Sequence, residues 1–496
     1  MSTISILNVA TDEEVRHPFP IHRTVVIVLL LLGTLGQVQA DKVDAYVKAE
    51  MEKNRIPGLA LAVVKDGRIV KAKGYGLANV ELNIPATADS VFPIAAITKP
   101  FTALATMMLV EEGKVGLDEK IGKYLTNAPN TWSNVTVRHL LTHTSGIGAR
   151  GRGSQTNASE DRWTVKTAQW FEVLRTRPLN DPPGERWQYS GQGYFLLGTI
   201  IESVSGQSYR DFLPARIFAP AGMTSTFIQD YEEIVKNRAG SYTLRDGKLT
   251  VDWRPLQVEL PADGGILSSV NDLAKWEMAL YSQKLVKKTT LEQMWIPGRL
   301  NDKSENVYGL GWFVGYQRGH RTIGHVGSSG AMFLSFPDDK LTVVVLCNLA
   351  GANAYAIAYD VAGHFNPALL PPHMLKPQPD PHPEITERLL GFLLDFASGK
   401  DSSLMTPGVR GWLNNLQATS PEYLSAEVLA PLNAELKDRA SFTFIACDTV
   451  EDRGIERLGS PVSRICYFKM VTTKKTFYYT FWLTADGRIA GFQYKG

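Results

Sequence analysis

Two groups of apolar strands lie far apart in this sequence, and together they constrain the fold more than any other feature. Residues 58–64 are almost entirely apolar, and an Asp-Gly turn leads into a second strand over 68–74, which predicts an antiparallel β-hairpin. Comparable strands return at 331–336 and 341–346. A sheet built from both ends of this region, with helical segments between them, predicts an α/β architecture with two lobes and a cleft at their junction.

The first 40 residues have the pattern of a secretory signal peptide. Arg23 precedes an apolar run over residues 25–35, and a small-x-small cleavage site ends at Ala40. The run is shorter than the roughly 20 apolar residues that span a bilayer, so no stable membrane span is expected. The pattern predicts a secreted or periplasmic protein, with an uncleaved membrane anchor as the alternative.

The charge balance argues against polyanionic partners. The chain has 52 Lys and Arg residues against 50 Asp and Glu residues, which gives a formal net charge of +2. No long basic or acidic block interrupts this balance, so nucleic acid is not an expected partner.

The chain has only three cysteines, which limits the disulfides and thiol reactions open to it. Export would permit disulfides, and Cys447 and Cys466 lie in two candidate neighbouring strands, so they could pair. Cys347 directly follows an apolar strand and is expected to be a buried thiol. None of the three has the surroundings of a catalytic cysteine.

A proline-rich segment predicts a domain boundary. Seven prolines fall among residues 366–383, which is typical of a stiff, extended linker. It would separate a first domain, residues 41–365, from a small α+β module, residues 384–496, whose partner the sequence does not reveal. In that module the patterns predict helices near 384–396, 409–416 and 425–437, and strands at 442–445, 464–472, 476–483 and 488–494.

One short segment has two residues at the spacing of an active-site motif. Residues 92–99, FPIAAITK, lead into an amphipathic helix, so Ala96 and Lys99 lie one turn apart on the same face. The spacing is similar to the Ser-x-x-Lys motif of β-lactamases and penicillin-binding proteins, with alanine where the nucleophilic serine stands. Five further segments match the same family in order: LLTHTSGI at 140–147, PG at 183–184 with YSG at 189–191, GGILS at 264–268, YGLGW at 308–312 and HVG at 325–327.

Residues 42–365 therefore resemble the serine β-lactamase, DD-peptidase and esterase family. The resemblance implies a β-lactamase-like antiparallel sheet flanked by helices, with a helical lobe. It implies that Lys99 and Tyr189 form the pair that activates a nucleophile. The oxyanion hole would use the backbone N–H groups of residue 96 and of Ser328, which directly follows Gly327.

Two other positions bear on the substrate. His325 would line the same wall as Gly327 and could orient a carboxylate or an ester, but true β-lactamases usually have lysine there. Gly191 stands where many members of the family have an asparagine that binds the amide of the substrate. Both departures weaken the case for β-lactam turnover and favour simple esters or small peptides with D-residues.

Ala96 is the third departure, because a methyl group cannot attack a carbonyl. Neither Ser145 nor Ser190, which belong to the loop motifs, replaces the nucleophile, and Ser328 does not lie in a Gly-x-Ser-x-Gly elbow. Three explanations stay open: a natural pseudoenzyme, an introduced Ser-to-Ala change, or a water molecule activated by Lys99 and Tyr189.

The sequence thus predicts an exported hydrolase scaffold for esters, amides or D-residue peptides that has lost acyl-enzyme formation. The alternatives are a pseudoenzyme that binds a cell-wall peptide or another acyl ligand, and a protein whose function lies in the C-terminal module. No cofactor is expected. His139 and His143 lie four residues apart, but the glutamate of a His-Glu-x-x-His zinc motif is missing, so no metal is expected either.

Overall fold

The computed structural model describes residues 42–148, 167–230, 232–252, 261–419 and 425–495. The predicted signal peptide, residues 1–40, lies outside them. Within the described ranges, no helix is both long and apolar enough to cross a membrane.

Twelve strands precede the proline-rich segment in the described residues. They are β1 (Gly58–Lys65), β2 (Arg68–Asn79), β3 (Ile84–Pro85), β4 (Phe92–Pro93), β5 (Phe227–Ile228), β6 (Tyr242–Arg245), β7 (Lys248–Val251), β8 (Ile266–Ser268), β9 (Phe313–Gln317), β10 (His320–Gly327), β11 (Ala331–Phe336) and β12 (Leu341–Cys347). Seven of them form one antiparallel sheet in the order β3-β2-β1-β12-β11-β10-β9. The two predicted strand groups therefore meet in a single sheet.

The helices of the same region are mostly inserted between β4 and β9. They are α1 (42–54), α2 (Thr98–Glu111), α3 (Val137–Leu141), α4 (Thr167–Arg175), α5 (Gly191–Ser205), α6 (Tyr209–Leu213), α7 (Ala219–Ala221), α8 (Pro261–Gly264), α9 (Val270–Tyr281), α10 (Lys288–Met294) and α11 (Ala354–Phe365).

The centre of the sheet explains why β1 is a continuous apolar run. Leu61 pairs with Val345 of β12 on one side and with Lys73 of β2 on the other. Every residue of β1 except Lys65 is buried, so both faces of this strand are covered. Among the helices, α9 packs against β1 and β12, and α11 packs against β11 and β12.

A second, three-stranded sheet brings the start of α2 next to α8. Its order is β4-β8-β5, and Phe92 of β4 pairs with Ser268 of β8. The backbone N–H of Ile94 donates to the carbonyl of Ile266 over 3.0 Å, and the N–H of Ile266 donates to the hydroxyl of Thr98 over 3.1 Å. The Gly264-Gly265 segment is thereby held beside the Ala96 motif.

The C-terminal region has its own sheet and its own apolar core. Helices α12 (Pro383–Ala397), α13 (Pro407–Thr419) and α14 (Ala426–Lys437) precede a four-stranded sheet ordered β13-β16-β17-β18. The strands of this region are β13 (Arg439–Thr449), β14 (Glu456–Arg457), β15 (Ser460–Pro461), β16 (Arg464–Thr472), β17 (Thr476–Leu483) and β18 (Ile489–Lys495). The predicted fold class, a β-lactamase-like α/β fold followed by a small sheet domain, is confirmed.

The three cysteines are one disulfide pair, which the sequence left open, and one buried thiol, as expected. Cys447 of β13 and Cys466 of β16 are paired residues in the sheet and form a disulfide, with Cα atoms 4.1 Å apart. Cys347 is a free thiol, and burial raises its pKa to about 12. This thiol is therefore a small apolar group of the core and not a nucleophile.

Candidate active site

The start of α2 places Ala96 and Lys99 as the motif predicted. Residues 95–97 form a single 3₁₀ turn that runs into α2, and this turn contacts β10. Ala95 has a φ of +46°, a value that residues other than glycine rarely adopt. Strained backbone of this kind tends to occur at functional sites. Ala96 is half-buried, whereas the Lys99 side chain is only 2% exposed.

Lys99 has an acidic partner that the sequence did not indicate. Its Nζ donates to the backbone carbonyl of Asp263 over 3.1 Å and forms an ion pair with Oδ1 of the same residue. The ammonium group also lies 4.8 Å from the ring centre of Tyr189 and 5.6 Å from that of Tyr194. Lysine, tyrosine and aspartate thus meet one helical turn after Ala96.

Lys99 and Tyr189 are both protonated, whereas a general base must be unprotonated to accept a proton. Burial alone would lower the pKa of Lys99, but the Asp263 carboxylate and Tyr189 outweigh burial, so the pKa lies above its ordinary value. Desolvation of the Tyr189 hydroxyl raises its pKa, and the neighbouring Lys99 offsets this only in part. At neutral pH, Lys99 is an ammonium group and Tyr189 a neutral phenol.

His325 lies in the wall of the site with both ring nitrogens engaged. Nδ1 lies 3.0 Å from the carbonyl oxygen of Val326, an acceptor, so Nδ1 carries the proton. Nε2 then accepts a hydrogen bond from the hydroxyl of Tyr308 over 2.9 Å. Burial, aided by the nearby Lys99, lowers the pKa of His325 to about 3. The imidazole is neutral and supplies none of the charge that a lysine would give there.

His143 is a central residue of the site, although the sequence indicated no role for it beyond its place in the 140–147 motif. Its ring centre lies 4.4 Å from that of Tyr189 and 4.6 Å from that of Tyr308. Nδ1 accepts a hydrogen bond from the N–H of Ser190 over 3.1 Å, which fixes the tautomer and joins the loop of residues 140–147 to the tyrosine motif. Burial holds the pKa of His143 well below its ordinary value.

His139 lies apart from this cluster. Its Nδ1 accepts from the backbone N–H of Thr136 over 3.2 Å, and the two residues form a capping box at the start of α3. In the described part of the chain, no three His, Cys, Asp or Glu side chains are arranged to hold a metal ion.

The predicted backbone positions are close to the same site. A Cβ atom on Gly327 would lie 2.3 Å from the carbonyl oxygen of Ile94, so this glycine lets β10 approach the Ala96 turn. Ser328 is exposed in the turn that follows, and the hydroxyl of Ser329 anchors that turn to the carbonyl of Pro93 over 2.6 Å. The end of β10 and the start of α2 are thereby fixed to each other.

Gly191 begins α5 directly after its N-cap residue Ser190, whose hydroxyl accepts from the N–H of Gly193 over 3.1 Å. A Cβ atom on Gly191 would lie 2.6 Å from Oδ2 of Asp263. The structure therefore brings together Ala96, Lys99, Tyr189, Gly191, His325 and Gly327, with Ser328 at the adjoining turn, and adds Asp263, His143 and Tyr308.

Three features are typical of the class of acyl-transferring serine hydrolases: a lysine one turn into a helix, a tyrosine ring over that lysine, and a sheet strand, here β10, against the start of the helix. The beta-lactamase family model matches residues 43–363, and the chain belongs to this family.

Two bacterial proteins illustrate the relationship. Penicillin-binding protein 4* of Bacillus subtilis (strain 168) is 30% identical over 316 residues, which are 60% of this chain and 69% of that protein. Protein flp of Staphylococcus aureus (strain MRSA252) is 27% identical over 321 residues, which are 62% of this chain and 63% of that protein. The chain thus spans less than two thirds of the length of protein flp.

Two solved structures also have a fold similar to that of this chain. The octameric penicillin-binding protein homologue from Pyrococcus abyssi superimposes with a TM-score of 0.59 at 25% identity, covering 90% of this chain and 97% of that one. EstCE1, a hydrolase with promiscuous acyltransferase activity, gives a TM-score of 0.58 at 20% identity and covers 67% of this chain and 99% of that one. At this lower identity the likeness to EstCE1 concerns the fold alone.

Proposed function

We propose that this chain is an exported member of the beta-lactamase family that retains a pocket for an acyl ligand but forms no acyl-enzyme. The observation that carries this proposal is the position of Ala96 one helical turn before Lys99, where the family has its serine. A methyl group offers no electron pair to a carbonyl carbon, so the covalent intermediate cannot form at this residue.

The surroundings of Ala96 support binding without covalent catalysis. Lys99 is held as an ammonium group and Tyr189 as a neutral phenol, so both donate hydrogen bonds and neither is ready to accept a proton. Donors of this kind hold the oxygen of an acyl group. Slow hydrolysis by bound water remains compatible with the proposal, because an oxyanion hole alone can retain about 10³ to 10⁴-fold catalysis over water in a hydrolase without its nucleophile.

The ligand class is argued from Gly191 and His325. Gly191 offers no side-chain amide, and the neutral imidazole of His325 offers no positive charge to the carboxylate of a β-lactam. We therefore propose uncharged esters, amides or small peptides with D-residues as ligands. Among these we favour a cell-wall peptide, in view of the similarity to penicillin-binding protein 4* of Bacillus subtilis and to the penicillin-binding protein homologue from Pyrococcus abyssi.

The test compares the unsubstituted chain with Ala96→Ser over neutral and alkaline pH. A fluorescent penicillin reports acyl-enzyme formation, and a chromogenic ester reports turnover. The unsubstituted chain is expected to show no covalent label, whereas Ala96→Ser is expected to gain label and ester turnover. Covalent labelling of the unsubstituted chain would contradict the proposal, since it would require a nucleophile other than residue 96.

Ligand binding is tested separately by calorimetric titration of the unsubstituted chain with a diacetylated Lys-D-Ala-D-Ala amide, whose C-terminus carries no charge. Lys99→Met, which removes the buried ammonium donor, is expected to weaken binding about tenfold or more, since a hydrogen bond to a charged group contributes about 1.5 to 3 kcal/mol. Identical affinities in the two proteins would exclude this pocket as the binding site.

A further inference from the structure

The carboxylate of Asp263 lies against Gly191 and beside the ammonium group of Lys99. Asp263 lies at the end of α8, directly before the Gly264-Gly265 pair, and reaches Lys99 with both its backbone carbonyl and its carboxylate. We propose that Asp263 is a positioning residue that holds Lys99 as an ammonium group, and that glycine at position 191 is what admits the carboxylate to this place.

The carboxylate of Asp263 fills the space that a side chain at position 191 would need. A Cβ atom there would lie 2.6 Å from Oδ2 and 2.9 Å from Cγ of Asp263, and Cβ atoms essentially never approach other atoms closer than 3.0 Å. Any side chain at position 191 would therefore displace the carboxylate or be displaced by it. The asparagine that many family members have at this position and the observed carboxylate of Asp263 exclude one another.

Asp263 also provides the negative charge beside Lys99. The titratable side chains that face its ammonium group come from α8, from the loop before α5, from α5 itself, from the loop of residues 140–147 and from β10. They are Asp263, Tyr189, Tyr194, His143 and His325. The two phenols and the two imidazoles are neutral at neutral pH, so the carboxylate is the only anion among them.

Burying the charge of Lys99 costs free energy, which a neighbouring anion offsets. A lysine that is 2% exposed cannot keep its charge without a partner, because removing an ammonium group from water is costly. Asp263 supplies that partner and is itself about one quarter exposed, so its own desolvation is smaller. The ion pair fixes Lys99 in its charged form.

The consequence deepens the proposed function, on which this inference rests for the identity of the pocket. In a site with a serine, the Lys99–Tyr189 pair would have to accept the hydroxyl proton, and neither an ammonium group nor a neutral phenol is ready to do so. The pocket is therefore changed at three positions that act together: Ala96 removes the nucleophile, Asp263 removes the base, and Gly191 makes room for Asp263. Restoring the serine alone leaves the base in the wrong state at neutral pH.

The first experiment observes Lys99 directly in the unsubstituted chain. Lysine is labelled with ¹³C, the Cε resonance of Lys99 is assigned with Lys99→Met, and its titration is followed by NMR. In Asp263→Asn, which keeps the size of the side chain and removes its charge, the midpoint is expected to move to lower pH. Asp401→Asn is the matched control, because it removes a carboxylate from an exposed pair with Arg410 in the C-terminal module, and it is expected to leave the midpoint unchanged.

Gly191→Ala provides an independent variant that keeps the charge of Asp263. Its new methyl group pushes the carboxylate away, so the Lys99 midpoint is again expected to fall, and thermal unfolding checks that each variant is folded. An unchanged midpoint in a folded Asp263→Asn or Gly191→Ala protein would overturn the inference.

The second experiment adds the serine and separates this inference from the proposed function. Penicillin labelling of Ala96→Ser is expected to require alkaline pH, and in Ala96→Ser/Asp263→Asn the profile is expected to move toward neutral pH. The labelling rate at neutral pH should rise about tenfold for each pH unit of that movement. Labelling with identical profiles in both variants would overturn the role of Asp263 alone. A shifted Lys99 midpoint with no labelling at any pH would overturn the acyl pocket and leave the role of Asp263 intact.

Discussion

The guanidinium group of Arg318 donates two hydrogen bonds to the carboxylate of Asp448, over 2.9 Å from Nε and 2.6 Å from Nη2. Arg318 lies in the turn between β9 and β10, and Asp448 lies on β13. The pair therefore fastens the strand that carries His325 to the C-terminal module. The hydroxyl of Tyr467 donates a third hydrogen bond to the same carboxylate over 2.8 Å.

Arg318→Ala is expected to lower the free energy of unfolding by about 1.5 to 3 kcal/mol, because it removes a charged donor from a half-buried carboxylate. Chemical denaturation followed by tryptophan fluorescence measures the change. Arg138→Ala is the matched control, since Arg138 makes the same two-bond contact to Asp118 in an exposed position. It is expected to cost less than about 1 kcal/mol. Equal losses in both variants would show that burial of the Arg318 pair contributes nothing.

Reduction of the disulfide is expected to destabilise the C-terminal module by about 3 kcal/mol, because the bridge closes a loop between residues 19 positions apart in β13 and β16. Thermal unfolding with and without a thiol reductant measures this. Cys447→Ala/Cys466→Ala should unfold identically in both conditions, whereas Cys347→Ala should keep the full sensitivity. If the unsubstituted chain unfolds at the same temperature with and without the reductant, this prediction is wrong.

Glu277 makes the stability depend on pH. It is buried where α9 meets the sheet and accepts hydrogen bonds from Ser335, over 3.1 Å, and from Thr342. Burial raises the pKa of its carboxyl from 4.5 to about 7, and the two hydroxyl groups offset this only in part. The folded state therefore binds this proton more tightly than the unfolded state, so stability falls as the pH rises through this interval and levels off above it.

Glu277→Gln is expected to gain stability relative to the natural chain as the pH rises from 4.5 to about 7, by roughly 3 kcal/mol at most. Denaturant midpoints measured across this interval give the difference. Glu119→Gln, which alters an exposed pair with Lys123, serves as the control and should show no such trend. A constant difference between Glu277→Gln and the natural chain would place the titrating group elsewhere.

The buried ion pair of the candidate site also has a measurable effect on stability. Asp263→Ala is expected to lower the free energy of unfolding by about 3 kcal/mol, because it leaves the charge of Lys99 buried without a partner. Lys99→Met/Asp263→Ala should recover most of this loss, since the uncompensated charge is then absent. Denaturation of the two single variants and the double variant gives the coupling energy, and additive losses would argue against a direct interaction.

Much of the fold was predictable because local patterns and tertiary packing agree. The hairpin of β1 and β2, the helix after Lys99 and the strand Thr476–Leu483 all follow from apolar spacing and turn residues. The strand predicted at 442–445 is much longer in the structure, Arg439–Thr449. Register shifts on both sides of Phe442 break the alternation that would have extended the prediction.

The site was predictable only in part. Ala96, Lys99 and Tyr189 follow from motifs, and the structure places them together, while their chemical roles stay predictions. Asp263 could not be found in this way, because its partner Lys99 is 164 residues away and PADG reads locally as a turn. The role of His143 depends equally on a tertiary contact, the hydrogen bond from the N–H of Ser190.

The central place of β1 in the main sheet has a consequence for folding during synthesis. The N–H of Gly58 donates to the side chain of Asn348 over 2.8 Å, and these two residues are 290 positions apart. One edge of a strongly apolar strand therefore stays open until β12 has left the ribosome, and pairing at such separations is slow. The main sheet is thus completed only late in synthesis, and the refolding yield should depend strongly on protein concentration, because the open apolar strand can pair with other chains.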